Sequence, residues 1–198
     1  MLSCCSNSKI KLSDLYHALS SAENKVPWCS TIWGGVNYPK HSVISWLAVQ
    51  DRLLTQDKLI RRGLIQTNQC FLCSGAEAES RNHLFFNCKF SKEVWNNIMG
   101  WLCFKWRSCD WNQVLNWYCF RLRGGRFKHN IKRLALTASI YSIWMERNGR
   151  LFNQKSRTVD QLVKLIKEVM MIAIINSDTD SESKKWMQQS LIFTGNSV

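Results

Sequence analysis

Four residues in the middle of the chain have the types and the spacing of a metal site. Cys70, Cys73, His83 and Cys88 follow the pattern C-x2-C-x9-H-x4-C. Thiolate sulfur and imidazole nitrogen hold Zn²⁺ tetrahedrally in structural sites, and a C-x2-C turn brings two thiolates together on one knuckle. The sequence therefore predicts one zinc ion bound by these four side chains. The alternative is that the cysteines are ordinary buried thiols and that His83 is a core histidine.

The neighbouring residues indicate how these ligands are positioned. Residues 69–75 have the pattern of a strand that runs into a glycine-containing knuckle. Ser80 lies three positions before His83, where a serine side chain caps the first turn of a helix. His83 and Cys88 are five positions apart, which suits a short helix whose last turn loosens to bring Cys88 inward. Four ligands, three of them thiolates, close the coordination sphere, so we expect a structural ion without catalysis.

Most of the remaining chain has apolar residues at helical spacing. The sequence predicts helices over 12–22, from Pro39 onward to include Leu53 and Leu54, over 56–62, from Ser91, over 111–120, over about 128–152 and from Thr158, with an extended segment over 26–33. Thr55 and Thr158 are placed as N-caps, and Gly63 is placed as a helix terminator. The predicted fold class is mainly α: a helical domain with a small zinc-stabilised knuckle, formed by a short β-turn plus a helix, and no large sheet.

Positive charge is concentrated downstream of the predicted zinc site. The chain has a formal net charge of +13, and residues 100–157 contain 12 Lys and Arg against 2 Asp and Glu. No acidic residue occurs between Trp111 and Met145. Such a block is typical of proteins that contact phosphate backbones, and a solvated helix face is the alternative. The candidate contacts to nucleic acid are Arg121, Arg123, Arg126, Lys128, Lys132 and Arg133.

Cysteine usage and the apolar runs restrict the class of protein. The nine cysteines, an odd number, favour reduced thiols and therefore an intracellular location, in the nucleus or the cytoplasm. The N-terminal residues lack the pattern of a secretory signal, and the longest apolar run, 169–175, is far shorter than the roughly 20 residues that cross a bilayer. We expect neither a membrane partner nor a small-molecule substrate. A catalytic pair of Cys88 with His83, or of Cys119 with His129, has no orienting group and is not supported.

The order of several motifs resembles a known family. Val26-Pro27-Trp28, Trp46-Leu47-Ala48 and Arg52-Leu53-Leu54-Thr55 precede Cys70-Phe71-Leu72-Cys73, and His83-Leu84-Phe85-Phe86 precedes Cys88. Over roughly residues 12–103 this order resembles the zinc-binding domain that follows the reverse transcriptase in plant non-LTR (LINE-type) retrotransposons. The resemblance implies that the two cysteines of C-x2-C, His83 and Cys88 are the metal ligands. Residues 143–152 also resemble the helical connector that follows this domain.

Polymerase chemistry needs clustered carboxylates that hold two metal ions, and no Tyr-x-Asp-Asp-type segment occurs in the chain. We therefore predict a non-enzymatic chain derived from a retrotransposon reverse transcriptase polyprotein. Its predicted parts are a zinc-binding domain over 12–103, a basic helical extension over 104–175, and an acidic loop with a weak C-terminal helix over 176–198.

Two functional classes follow from these observations. The first is binding of RNA or DNA through the basic helical region. The second is a protein–protein interaction module that uses apolar helix faces, such as Val159–Ile175, and has no nucleic-acid role. A retroelement remnant without a selected role is a third possibility.

Overall fold

A computed structural model of the chain describes residues 26–34, 36–73, 77–104, 110–122, 124, 126–177 and 185. Within these ranges the protein is mainly helical and has no strand, which confirms the predicted fold class. The predicted helix over 12–22 and nearly all of the predicted C-terminal segment lie outside the described residues. The helices are α1 (Cys29–Ile32), α2 (Pro39–Val49), α3 (Gln56–Arg61), π1 (His83–Asn87), α4 (Lys89–Trp101), α5 (Trp111–Arg121), α6 (Phe127–Asn153) and α7 (Val159–Ile175).

The long helix α6 lies at the centre of the fold, where it packs against α2, α4 and α7. Its middle turns present small side chains such as Ala138 and Ser139, which are fully buried and let the neighbouring helices approach closely. One apolar cluster extends from Ala48 through the cysteines Cys70 and Cys88 to Ile174. The zinc segment and the basic helices therefore share a core, while the predicted domain boundaries remain a prediction.

Local capping signals explain where several helices begin and end. Thr158 accepts a hydrogen bond from the backbone N–H of Gln161, whose side chain in turn accepts from the N–H of Thr158, so this N-cap is confirmed as a capping box. Gly63 has a φ of 69°, a left-handed conformation that ends the turn after α3. Thr55 does occupy the N-cap position of α3, although its hydroxyl donates to the Asp57 carboxylate and no cap hydrogen bond forms.

The structure corrects two predicted helix boundaries. Helix α2 ends at Val49 instead of continuing to Leu53 and Leu54, because the chain turns at Asp51, whose φ is 54°. Helix α4 begins at Lys89 rather than at Ser91. The Ser91 hydroxyl is not a cap, since it donates a hydrogen bond of 2.6 Å to the carbonyl of Leu84 in π1.

The predicted extended segment over 26–33 is also wrong, because it contains α1. The backbone N–H groups of Ile32 and Trp33 donate to the carbonyls of Trp28 and Cys29, at 3.1 and 2.8 Å. The side-chain amide of Asn37 then donates to the carbonyls of Thr31 and Ile32, at 3.2 and 3.0 Å. Asn37, several positions away, therefore satisfies the unpaired carbonyls at the end of α1. The helix is too short to show a periodic pattern in the sequence.

In the parts of the chain that the structure covers, no helix has both the length and the apolar character needed to cross a membrane.

Candidate metal centre

The structure brings the four predicted ligands together. One donor atom from each of Cys70, Cys73, His83 and Cys88 lies within 4.8 Å of all the others. The Sγ atoms of Cys70 and Cys88 are 3.9 Å apart, and Cys73 Sγ lies 3.5 Å from His83 Nε2. Tetrahedral zinc geometry requires about 3.8 Å between two sulfurs and about 3.6 Å between a sulfur and a nitrogen. The cluster is therefore spaced to hold one metal ion.

A π-helix explains the unusual spacing between His83 and Cys88. Ser80 Oγ accepts a hydrogen bond of 3.1 Å from the N–H of His83, as its predicted capping position requires. The turn then widens over π1, and the N–H of Cys88 donates to the carbonyl of His83 at 2.6 Å. This hydrogen bond between residues five apart is the defining bond of a π-helix, and it places both ligands on one side of the turn. The predicted loosened turn is thus confirmed.

The predicted strand before the knuckle is absent from the described residues. The backbone is irregular up to Cys70 and forms a turn over Phe71–Cys73. The backbone N–H groups of Leu72 and Cys73 hydrogen-bond to the sulfur of Cys70 and are therefore not available to a strand partner. The N–H of Cys70 donates to the carbonyl of Glu77 at 3.1 Å and closes the loop. The knuckle is therefore organised around its sulfur atoms; Gly75 lies outside the described residues.

The two buried thiols of the cluster are electrostatically coupled. Hydrogen bonding to Cys88, followed by burial, raises the pKa of Cys70, whereas the hydrogen bond from Cys70 lowers the pKa of Cys88. Backbone groups of Ser91 and Phe90 at the start of α4 also favour the Cys88 thiolate. A metal ion that binds here must displace the Cys70 proton, since thiolates are the ligating form.

Glu77 is a functional candidate that the sequence analysis missed. Its Oε2 lies 2.8 Å from His83 Nδ1, the ring nitrogen that faces away from Cys73. A carboxylate in this position fixes the tautomer and orientation of a ligating histidine and raises the basicity of the other nitrogen. The only available signal was an acidic residue a few positions before His83, which is too common a feature to identify a partner.

Two arginines of α6 form hydrogen bonds with the chain segments that carry the metal ligands. Arg150 donates to the carbonyls of Leu72 and Phe71 in the knuckle, at 2.9 and 3.3 Å. Arg147 forms two hydrogen bonds with the buried carboxylate of Glu79, at 2.8 and 3.0 Å. The same carboxylate accepts from the N–H of Gln56 at 3.0 Å, at the start of α3. This part of α6 therefore braces the metal site across the core.

Comparison with known proteins agrees with this site. Residues 11–95, less than half of the 198-residue chain, match the family model described as zinc-binding in reverse transcriptase. The predicted resemblance to a reverse transcriptase zinc-binding domain is confirmed for this segment, and zinc is the ion to which the cluster is suited. The match is to the zinc-binding domain and not to a polymerase domain, and the plant LINE-type origin remains a prediction. No curated protein and no solved structure matches the chain.

The six predicted nucleic-acid contacts have different surroundings. Arg121, Arg126 and Lys128 are exposed, and Arg123 lies outside the described residues. Lys132 is partly buried, with Nζ 4.2 Å from the ring centroid of Phe104, and burial lowers its pKa. Arg133 is buried and donates to the carbonyl of Leu122 and, at 3.2 Å, to Asn130 Oδ1. The side chains of Lys132 and Arg133 therefore make contacts within the protein.

Proposed function

We propose that this chain is a non-catalytic, zinc-stabilised module derived from a retrotransposon reverse transcriptase polyprotein and that it binds RNA or DNA through its basic helical region. The observation that carries the proposal is the exposure of Arg121, Arg126 and Lys128 within a stretch that has no acidic residue from 112 to 144. Because no carboxylate neutralises them locally along the chain, these cations provide an uncompensated positive potential for phosphates.

Two of the predicted basic residues have contacts within the protein that hold the basic surface in place. Arg133 donates to the carbonyl of Leu122, the residue after α5, and so ties the end of α5 to the first turns of α6. Lys132 packs over Phe104. We assign these two residues to positioning the basic surface and assign phosphate contact to the three exposed cations, with Arg123 as a further candidate.

The donor set supports a structural role for the metal. Three thiolates and one imidazole complete a tetrahedral shell and leave no position for a reacting water. Binding of the ion joins the knuckle to π1, and Glu79 and Arg150 connect both to the rest of the core. Because the unfolded chain has no such preformed site, the free energy of metal binding contributes to folding.

The test measures binding of unrelated single-stranded RNA and DNA by fluorescence anisotropy at low and high salt. The variant R121E/R126E/K128E is compared with R62E/K89E/K164E, which reverses three exposed charges elsewhere and changes the net charge equally. We expect binding by the wild type to weaken with salt. The slope of log K against log salt concentration should be shallower by about 2 for the first variant only. Equal losses in both variants would show attraction by net charge and would contradict a defined surface.

Protein–protein interaction is the second candidate function. Helix α7 buries one face against α4 and α6 but leaves Leu165, Ile172 and Ile175 exposed on the other. Such apolar positions suit a helix partner. If the wild type binds neither RNA nor DNA at low salt, the nucleic-acid proposal fails and this candidate is favoured.

A further inference from the structure

We infer that the ligand is single-stranded nucleic acid and that its bases stack on Trp33 and Phe120. This inference rests on the proposed function and specifies the ligand class and the residues that recognise it. Trp33 is 47% exposed and Phe120 is 60% exposed, although both belong to types that are usually well buried. Trp33 directly follows α1, and Phe120 lies in the last turn of α5 next to Arg121.

The tertiary structure joins two stretches that contain no acidic residue. The first, residues 26–50, includes α1 and α2, and the second, residues 112–144, includes α5 and most of α6. Helix α2 packs along α6, and α1 contacts α2, α5 and α6. Neither stretch therefore contributes a carboxylate to the surface formed by these helices, on which Arg121, Arg126 and Lys128 are exposed.

Contacts of the adjacent residues place the backbone segments that carry Trp33 and Phe120 in the same region. The Cys119 side chain, next to Phe120, lies beside Thr31 of α1 and near Arg133. A Cβ atom at Gly34, next to Trp33, would lie 3.8 Å from Cδ of Arg133. Both segments therefore lie near Arg133, which donates to the carbonyl of Leu122 where α5 ends.

The Trp33 end of α1 is held rigidly. Ser42 of α2 donates to the carbonyl of Ile32 at 2.7 Å, and the side-chain amide of Asn37 donates to the same carbonyl at 3.0 Å. Thr137 of α6 donates to Asn37 Oδ1 at 3.2 Å. Since this backbone is already ordered, stacking on Trp33 requires little loss of conformational entropy.

The chemistry of stacking selects the single strand. In a duplex each base face is already covered by its neighbours, whereas an unpaired base can place its π-face on an aromatic side chain. Stacking on aromatic rings is tolerant of sequence, and the cations track the phosphates without reading bases. The predicted ligand is thus a single strand bound with little sequence preference.

The experiment uses the full zinc-loaded chain and two labelled probes, an oligo-dT single strand and an oligo-dA·dT duplex of the same length. Fluorescence anisotropy is measured for W33A, F120A, the conservative variants W33F and F120Y, and the matched control F152A. Phe152 is 71% exposed at the C-terminal end of α6. The variant F152A therefore tests whether loss of any exposed ring weakens binding of the single strand. Circular dichroism and thermal melting verify that each variant is folded.

We expect each alanine variant to bind the single strand about tenfold more weakly, with an unchanged salt slope and unchanged duplex binding. The variants W33F, F120Y and F152A should bind nearly as the wild type does. An abasic single strand should not distinguish W33A or F120A from the wild type, because it has no base to stack.

The possible failures are distinguishable. Unchanged affinity in both alanine variants, with the loss in R121E/R126E/K128E retained, would overturn the stacking inference and leave the proposed function intact. Equal weakening of single-strand and duplex binding would also overturn it. Absence of binding by the wild type at low salt would overturn both proposals.

Discussion

Arg147 and Glu79 form an ion pair in the interior of the protein, although they lie 68 positions apart in the chain. The side chains are 2% and 0% exposed, and Arg147 Nη2 lies 2.8 Å from Glu79 Oε1. Glu79 lies between the C-x2-C knuckle and His83, whereas Arg147 belongs to the central helix. The pair therefore connects the metal segment to the helical core through charge and hydrogen bonds as well as through apolar packing.

The first prediction concerns this pair. E79Q or R147M should each lower the free energy of unfolding by about 3 to 5 kcal/mol, because either change leaves one buried charge without its partner. Urea unfolding measures the loss. The double variant should lose less than the sum of the two single losses, since neither charge then remains.

The exposed pair of Arg61 with Asp57 is the matched control. Its N–O distance is 3.0 Å, yet the Arg61 side chain is largely solvated. R61A should change the free energy of unfolding by under about 0.5 kcal/mol. Strict additivity in the Glu79–Arg147 cycle would show that the two side chains are not coupled.

The second prediction concerns the metal ligands. C70S and H83A should lose bound zinc and unfold the segment of roughly 68–90, while α4 keeps much of its helix through packing on α6 and α7. Zinc content by mass spectrometry and hydrogen exchange measure the two effects. C103S, at an exposed cysteine outside the cluster, should retain the metal. Full zinc stoichiometry and an unchanged melting curve in C70S would refute the assignment.

The third prediction concerns the partner of His83. E77Q should weaken zinc binding about 10- to 100-fold, because His83 loses the carboxylate that orients its ring and raises its basicity. Competition with a chromophoric chelator measures the affinity. At saturating zinc the variant should melt nearly as the wild type does, which separates this effect from a folding defect. The exposed Glu93 provides the control E93Q, and similar losses in both variants would argue for a general effect of net charge.

The fourth prediction concerns pH. His41 is buried between Tyr38 and Tyr141, and burial, followed by the charge of Lys40, lowers its pKa from 6.5 to about 4. The unfolded state therefore takes up a proton at a higher pH than the folded state does. The stabilisation is fully present above pH 6.5 and decreases as the pH falls toward 4, by up to about 3 kcal/mol.

Metal release at acid pH also destabilises the fold, so the measurement must isolate His41. Urea unfolding of wild type and H41Q at several pH values gives the difference between their free energies of unfolding. The contribution of the metal is the same in both proteins and cancels in this difference. We expect the wild type to lose its advantage over H41Q on acidification. A difference that does not change with pH would exclude neutral His41 as the cause.

Local patterns in the sequence were good predictors where the physical determinant is local. The Ser80 cap, the Thr158 N-cap and the Gly63 terminator depend on residues within a few positions, and each was predicted correctly. The predicted strand is absent over the described residues 69–73, where the N–H groups of Leu72 and Cys73 hydrogen-bond to the sulfur of Cys70. The short helix α1 was missed because its end is satisfied by Asn37 from the following loop.

The sequence by itself determined the set of metal ligands, the helical class and the concentration of positive charge, because ligand spacing, helical periodicity and formal charge are written along the chain. Only the tertiary structure decided which charged groups are available to a ligand. Arg133 is buried against Leu122, Glu79 is paired with Arg147, and Trp33 is brought beside the basic helices. These relationships depend on partners distant in sequence, and burial, which controls the energy of every charge, exists only after the chain has folded.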